Sequence, residues 1–122
     1  MDRAVRALRG ATTVDADTPE QITSRTQDLL QAMLERNEVD HDDLISVILT
    51  TTPDVVSKFP ALAAREMGLG DVPLLCASEI DVVGATPRCI RILVHLHTER
   101  RRDELHHIYL EGARGLRDDL PE

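Results

Sequence analysis

Arg91 stands in the middle of an otherwise apolar run, CIRILVHLHT, from Cys89 to Thr98. A guanidinium taken out of water without a partner costs several kcal/mol, so something anionic must face it. Two candidates fit: an internal ion pair with a carboxylate such as Glu79, which follows the apolar segment holding Cys76, or an anionic ligand. Arg9 precedes Gly10, Ala11, Thr12 and Thr13, a stretch that could turn around a phosphate or carboxylate or simply end a strand in solvent. Arginine suits such a role because its planar fork of donors matches a carboxylate. His95 and His97 form an HxH pair with His106 and His107 further on, but further zinc ligands at diagnostic spacing are missing. Cys76 lacks the local signature of a nucleophile and reads as a buried thiol. Neither a Walker motif nor a GxGxxG fingerprint occurs.

Composition bounds the partners. The chain has 122 residues, the size of one domain, spanning 1–122. Its formal net charge is -8, and it contains no Trp, one Phe and one Tyr, Phe59 and Tyr109. That combination argues against nucleic-acid binding, which needs a basic face and stacking aromatics. The 14 basic residues comprise Lys58 and 13 arginines, a bias that genome composition explains as readily as anion recognition does. No apolar run approaches the roughly 18 residues of a membrane span, and the Arg-rich N-terminus has no signal-peptide core, so a cytoplasmic protein that does not enter membranes is expected. Cys76 and Cys89 have no CxxC spacing, which suggests neither a redox pair nor a zinc knuckle.

The elements that must hold these groups follow from periodicity. Residues 3–9 read as a strand ending at Arg9. Thr18, Pro19 and Gln21 mark a helix start with a capping box, and Ile22, Thr26, Leu29, Leu30, Met33 and Leu34 continue an amphipathic helix to about Asn37. Residues 40–43 form a polar linker, and Leu44–Thr51 is a β-branched run suited to a buried strand. A short helix with Pro60 in its first turn runs to Met67, closed by Gly68 and Gly70. Strands follow over 72–77, 89–98 and 108–110. Alternation in the long strand sets Cys89, Arg91, Leu93, His95 and His97 on one face and Ile90, Ile92, Val94 and Leu96 on the other.

Two helices and about five strands define an α+β, or mixed α/β, domain. Two helices leave one face of such a sheet incompletely covered. Both faces of the 89–98 strand are largely apolar, so the uncovered face is expected to meet another subunit in a homo-oligomer.

A series of blocks runs along the chain: RALRGATT from Arg6 to Thr13, Thr52-Pro53-Asp54, Phe59-Pro60-Ala61 with Ala64-Arg65-Glu66, Val72-Pro73, Cys76 with Glu79 and Asp81-Val82, Cys89-Ile90-Arg91, and His107-Ile108-Tyr109-Leu110 followed by Leu116-Arg117. These blocks resemble the small monofunctional chorismate mutases. They stand in family order over nearly the whole chain. The resemblance implies a homotrimer forming a pseudo-α/β barrel, with active sites in the clefts between subunits and chorismate as substrate, rearranged to prephenate without metal or cofactor. Carried over by position, Arg9, Cys76, Glu79, Arg91 and Tyr109 would come from one subunit. Phe59, Ala61 and Arg65 would come from its neighbour, with Leu75 beside the substrate and Leu116 and Arg117 closing the pocket. The implied catalytic groups are Arg91, Glu79 and Arg9. Leu62 and Leu75 depart from relatives that carry Lys and Thr there, which bears on substrate affinity.

Three other readings remain open from sequence. The same cleft could serve a non-catalytic trimeric small-molecule binding protein, or an enamine/imine deaminase-like trimer, whose motifs are not visible. The third is a metal-binding protein using His95 and His97.

Overall fold

The computed structural model describes residues 3–116. Five strands form one sheet: β1 (Ala4–Thr13), β2 (Leu44–Thr51), β3 (Leu74–Ser78), β4 (Cys89–Thr98) and β5 (Ile108–Tyr109), in the order β3-β2-β4-β1-β5. β4 lies at the centre, antiparallel to both β1 and β2, while β3 and β5 add parallel edges to β2 and β1. The two helices, α1 (Pro19–Arg36) and α2 (Pro60–Ala64), share one face of the sheet. This is the α+β, mixed-sheet architecture expected from the sequence.

Burial alternates along β4 as the pleat requires. Ile90, Ile92, Val94 and Leu96 are buried under the helices, whereas Arg91 and His97 are exposed on the other face and Leu93 and His95 are half-buried there. The core is aliphatic: Leu8, Leu29, Leu30, Met33, Leu49 and Ile92 pack between helix and sheet. A second cluster of Val14, Ile22, Val55 and Ile90 closes the start of α1.

α1 begins as its residues dictate, with Thr18 Oγ1 accepting from the Gln21 amide at 3.2 Å and Pro19 in the first turn. The expected capping box is not closed in the usual way. Gln21 Oε1 accepts from the Asp15 and Ala16 amides instead, tying the preceding loop to the helix, while the Thr18 amide donates to Ala16 O.

β1 does not end at Arg9. It continues to Thr13 because Gly10, Ala11, Thr12 and Thr13 pair with Ile92, Arg91, Ile90 and Cys89 of β4. Gly10 serves the packing of α1: a Cβ there would lie 2.4 Å from Met33 Sδ and 3.0 Å from Leu29 Cδ1. β3 begins at Leu74, two residues later than expected, because Pro73 has no N–H to donate and gives only its carbonyl, to the Val47 amide. After Ala64 the helix widens into a π-type turn, Arg65–Leu69, broken at Gly68, whose φ of 103° is open to glycine. The linker before β2 contains a short 3-10 turn, His41–Asp43.

Candidate active site

The helix-free face of the sheet carries the charged constellation. β4 brings Arg91 opposite Ala11 of β1 on one side and opposite Thr50 of β2 on the other. Arg9 sits two residues back on β1, and β5 places Tyr109 beside Ala11. These strands enclose a cavity of about 270 Å³ lined by Arg9, Ala11, Ile48, Thr50, Arg91, Leu93 and Tyr109.

Glu79 enters from the end of β3. Its amide donates to Thr51 O at 2.9 Å, which continues the β2 pairing by one residue. Its carboxylate then turns onto the open face, where Oε1 lies 3.2 Å from Arg91 Nε and Oε2 accepts from Thr50 Oγ1 at 2.6 Å. The ion pair offered as one candidate from sequence is therefore present. The burial assumed for Arg91 is not: its side chain remains 45% exposed in the single chain, at the wall of a cavity. A strand reads as uniformly apolar when its outward residues are Leu and His, yet only one of its faces is covered by the helices. An ion pair through Nε engages one of five guanidinium N–H donors, so capacity for an anion remains.

Arg9 is held from its backbone, its amide donating to His107 Nδ1 at 3.0 Å. Tyr109 and Leu116 pack against a buried cluster of Ala11, Cys89 and Ala113. The chain crosses there in a 3-10 turn, Glu111–Ala113, which the Gly112 amide pins to Thr13 Oγ1 at 2.9 Å. Burial pushes the Cys89 thiol up, so it stays protonated beneath Arg91 and is no nucleophile. Leu116 thus reaches the cluster beside Tyr109, and Arg117 lies outside the described residues.

The remaining expected site residues are not brought to Arg91 within one chain. Register pairs Cys76 with Leu49, so the Cys76 side chain points to the helix side and packs on the main core, away from Glu79. Phe59, Ala61 and Arg65 lie at and after the start of α2, also on the helix side. Phe59 is 68% exposed and, with Cys76, Ser78 and Leu62, lines a second cavity of about 480 Å³ at the β3 edge. Among the described residues its one cation is Lys58, committed to Thr23 Oγ1 and Glu66. Leu75, 62% exposed, shares the open face with Ile48.

Ala11, Ile48, Thr50 and Leu93 in the wall of the Arg91 cavity were not among the expected site residues. The alternation of β2 could have found Ile48 and Thr50, since it sets Ser46, Ile48 and Thr50 on the face opposite the buried Val47 and Leu49. His95 contacts Ser46 Oγ at 3.3 Å, and no cluster of three or more metal-ligating side chains occurs among the described residues.

Comparison with known proteins identifies the family. The model of the family chorismate mutase type I matches residues 5–120. The chain is 48% identical to chorismate mutase AroH of Thermus thermophilus over 117 residues, covering 95% of this chain and 96% of that protein. It is 41% identical to chorismate mutase AroH of Bacillus subtilis (strain 168), also over 117 residues, covering 95% of this chain and 92% of that protein. A solved chorismate mutase from Clostridium thermocellum superposes with a TM-score of 0.88 at 45% identity, covering 89% of this chain and 97% of that one. Matches of this kind over nearly the whole chain establish that it belongs to the chorismate mutase type I family.

Proposed function

We propose that Arg91, Arg9 and Glu79 carry the reaction of this chorismate mutase, in clefts shared between the subunits of a homotrimer. The activity is an isomerisation, chorismate to prephenate. In this concerted [3,3] shift the ether C–O bond breaks as a C–C bond forms, with no obligatory acid, base or nucleophile. The protein has two tasks: to hold a flexible dianion in its compact conformer, and to stabilise negative charge that grows on the ether oxygen. Arg91 takes the ether oxygen and the side-chain carboxylate, assisted at the carboxylate by Arg9 and Tyr109. Glu79, acceptor-only when ionised, takes the ring hydroxyl.

The observation that carries this reading is Arg91 at the wall of an open cavity with Glu79 paired to its guanidinium. Charge of both signs fits a ligand that is an anion at one end and a hydroxyl donor at the other. It favours catalysis over a non-catalytic binding protein, because a donor aimed at an oxygen that gains charge lowers a barrier as well as binding.

The trimer is supported by the division of the site. Arg91 and Phe59 lie on opposite sides of the sheet, so Phe59, Ala61 and Arg65 can wall a cleft around Arg91 only from another copy. Leu75 and Val5 on the open face are apolar and exposed, as an unsatisfied interface would be. Leu116 and Arg117 would close the cleft, and Arg65 and Arg117 would draw the dianion in. The whole chain, 1–122, would act as one domain. Free Cys76 and Cys89 fit the reducing cytoplasm, and no described helix is long and apolar enough to cross a membrane.

The test follows the ultraviolet absorbance of chorismate with micromolar protein, beside a native mass expected at three times 13.6 kDa. Mixed trimers test the shared cleft. Arg91→Ala and Arg65→Ala chains refolded together at 1:1 should give a kcat/KM above the mean of the two separate variants, since about a quarter of randomly assembled clefts carry both intact halves. No recovery, with trimers intact, would remove the division of the site between copies.

A further inference from the structure

We infer that Thr50 is a positioning residue for this reaction, setting the plane of the Glu79 carboxylate so that one oxygen meets Arg91 and the remaining lone pairs face the cavity. The inference rests on the reading of Glu79 as a group that faces substrate. Glu79 stands beyond the end of an edge strand on a flexible side chain, and the last torsion of glutamate is broad and two-fold. Backbone pairing fixes only its amide, through Thr51 O. Left so, the carboxylate could rotate through many orientations, and only some would present an acceptor into the cavity.

Thr50 removes that freedom. It lies directly opposite Arg91 in the β2–β4 pairing, and its hydroxyl donates to Glu79 Oε2 at 2.6 Å while Arg91 Nε meets Oε1 at 3.2 Å. Each carboxylate oxygen is thus held by a different strand. The hydroxyl's single proton is spent on Oε2, and an ionised carboxylate has about four acceptor positions, so about two remain for a substrate hydroxyl. A β-branched residue suits this task, because the strand backbone restricts its χ1 and holds the hydroxyl in place.

The test is a kinetic cycle with chorismate as substrate. Valine keeps the shape and strand preference of Thr50 and deletes the hydroxyl, so Thr50→Val should fold and assemble as the parent does. Its kcat/KM should fall about tenfold, the loss expected for one hydrogen bond to a charged group. Thr50→Ser, which keeps the hydroxyl, should stay within about threefold. In a Glu79→Ala background Thr50→Val should change kcat/KM by less than about twofold, because the positioned group is gone. A purely structural role would instead give equal losses in both backgrounds and would overturn the inference, as would parental kcat/KM in Thr50→Val. Should Glu79→Ala alone retain parental kcat/KM, the reading of Glu79 itself would fall and this inference with it.

Discussion

Arg91 and Glu79 form an ion pair, Nε to Oε1 at 3.2 Å, on the open side of the sheet and not inside the core. An internal partner and a ligand looked like competing explanations for a charge in an apolar strand. The geometry reconciles them, because the partner orients the guanidinium while the adjacent cavity leaves room for an anion. Pairing on a half-exposed surface contributes little to stability, typically below about 1 kcal/mol, so the pair makes more sense as preorganisation than as a fold-holding contact.

Replacing Arg91 should therefore damage turnover far more than folding. Arg91→Ala should lower kcat by about 10²–10³, as for the loss of one oxyanion donor, with a melting temperature close to the parent's. Arg91→Lys keeps the charge but loses the fork and should recover only part of the activity. Steady-state kinetics with thermal melts checks this, and a kcat within tenfold of the parent for Arg91→Ala would remove Arg91 from the reacting oxygen.

Cys76 should be dispensable as a side chain. Its register with Leu49 turns the thiol toward the helix side, so only its backbone could approach a ligand held by Arg91 and Glu79. Cys76→Ala should keep kcat/KM within about threefold and cost about 1 kcal/mol in packing at this half-buried site. A hundredfold loss of kcat, with folding intact, would show that the thiol itself meets the substrate.

Much of this was legible in the sequence, for reasons that can be named. β2 and β4 match their expected bounds because each run meets a strong breaker, Pro53 shortly after β2 and Pro87 just before β4. The start of α1 was equally plain in Thr18 and Pro19. The face of Cys76 was not, because it depends on how β3 is registered against β2, and strand register is a tertiary fact. Thr50 escaped notice because threonine is an ordinary strand residue until the pairing sets it beside a carboxylate. Gly10 was misread for a similar reason, since a glycine at a strand end suggests a turn and the helix that crosses it is invisible in the local sequence.

Acid should loosen the segment that carries Phe59. Asp17 accepts from Ser57 Oγ above all, and from the Val56 and Ser57 amides, which together hold its carboxyl below the ordinary 3.8. Asp54 is lowered as well, chiefly by Thr52 Oγ1 and also by the Arg88 amide. A depressed folded pKa means stability that is present above the unfolded value and lost as pH falls through the folded one. Melting temperature should thus be steady above about pH 5 and fall below about pH 4. Asp17→Asn, which cannot gain this charge, should flatten part of that acid limb. An unchanged limb in both Asp17→Asn and Asp54→Asn would show that these carboxylates do not link protonation to folding.

Gly10 should prove a packing requirement. An added Cβ would fall 2.4 Å from Met33 Sδ and 3.0 Å from Leu29 Cδ1. Sδ is near the end of a flexible side chain, but Met33 and Leu29 are both fully buried, so the displaced atoms have no space to enter. Overpacking of this kind costs about 1–3 kcal/mol, against which alanine recovers roughly 0.5–1 kcal/mol of the conformational entropy that glycine loses in a strand. The net for Gly10→Ala should be a loss of about 1 kcal/mol, or roughly 4 °C in melting temperature for a domain of this size. The loss should shrink in a Met33→Leu background, where the long thioether no longer reaches over the strand, because residues in direct contact do not act additively. A raised melting temperature for Gly10→Ala would mean that α1 can shift at no cost and that the close approach of helix to strand is not what requires glycine here.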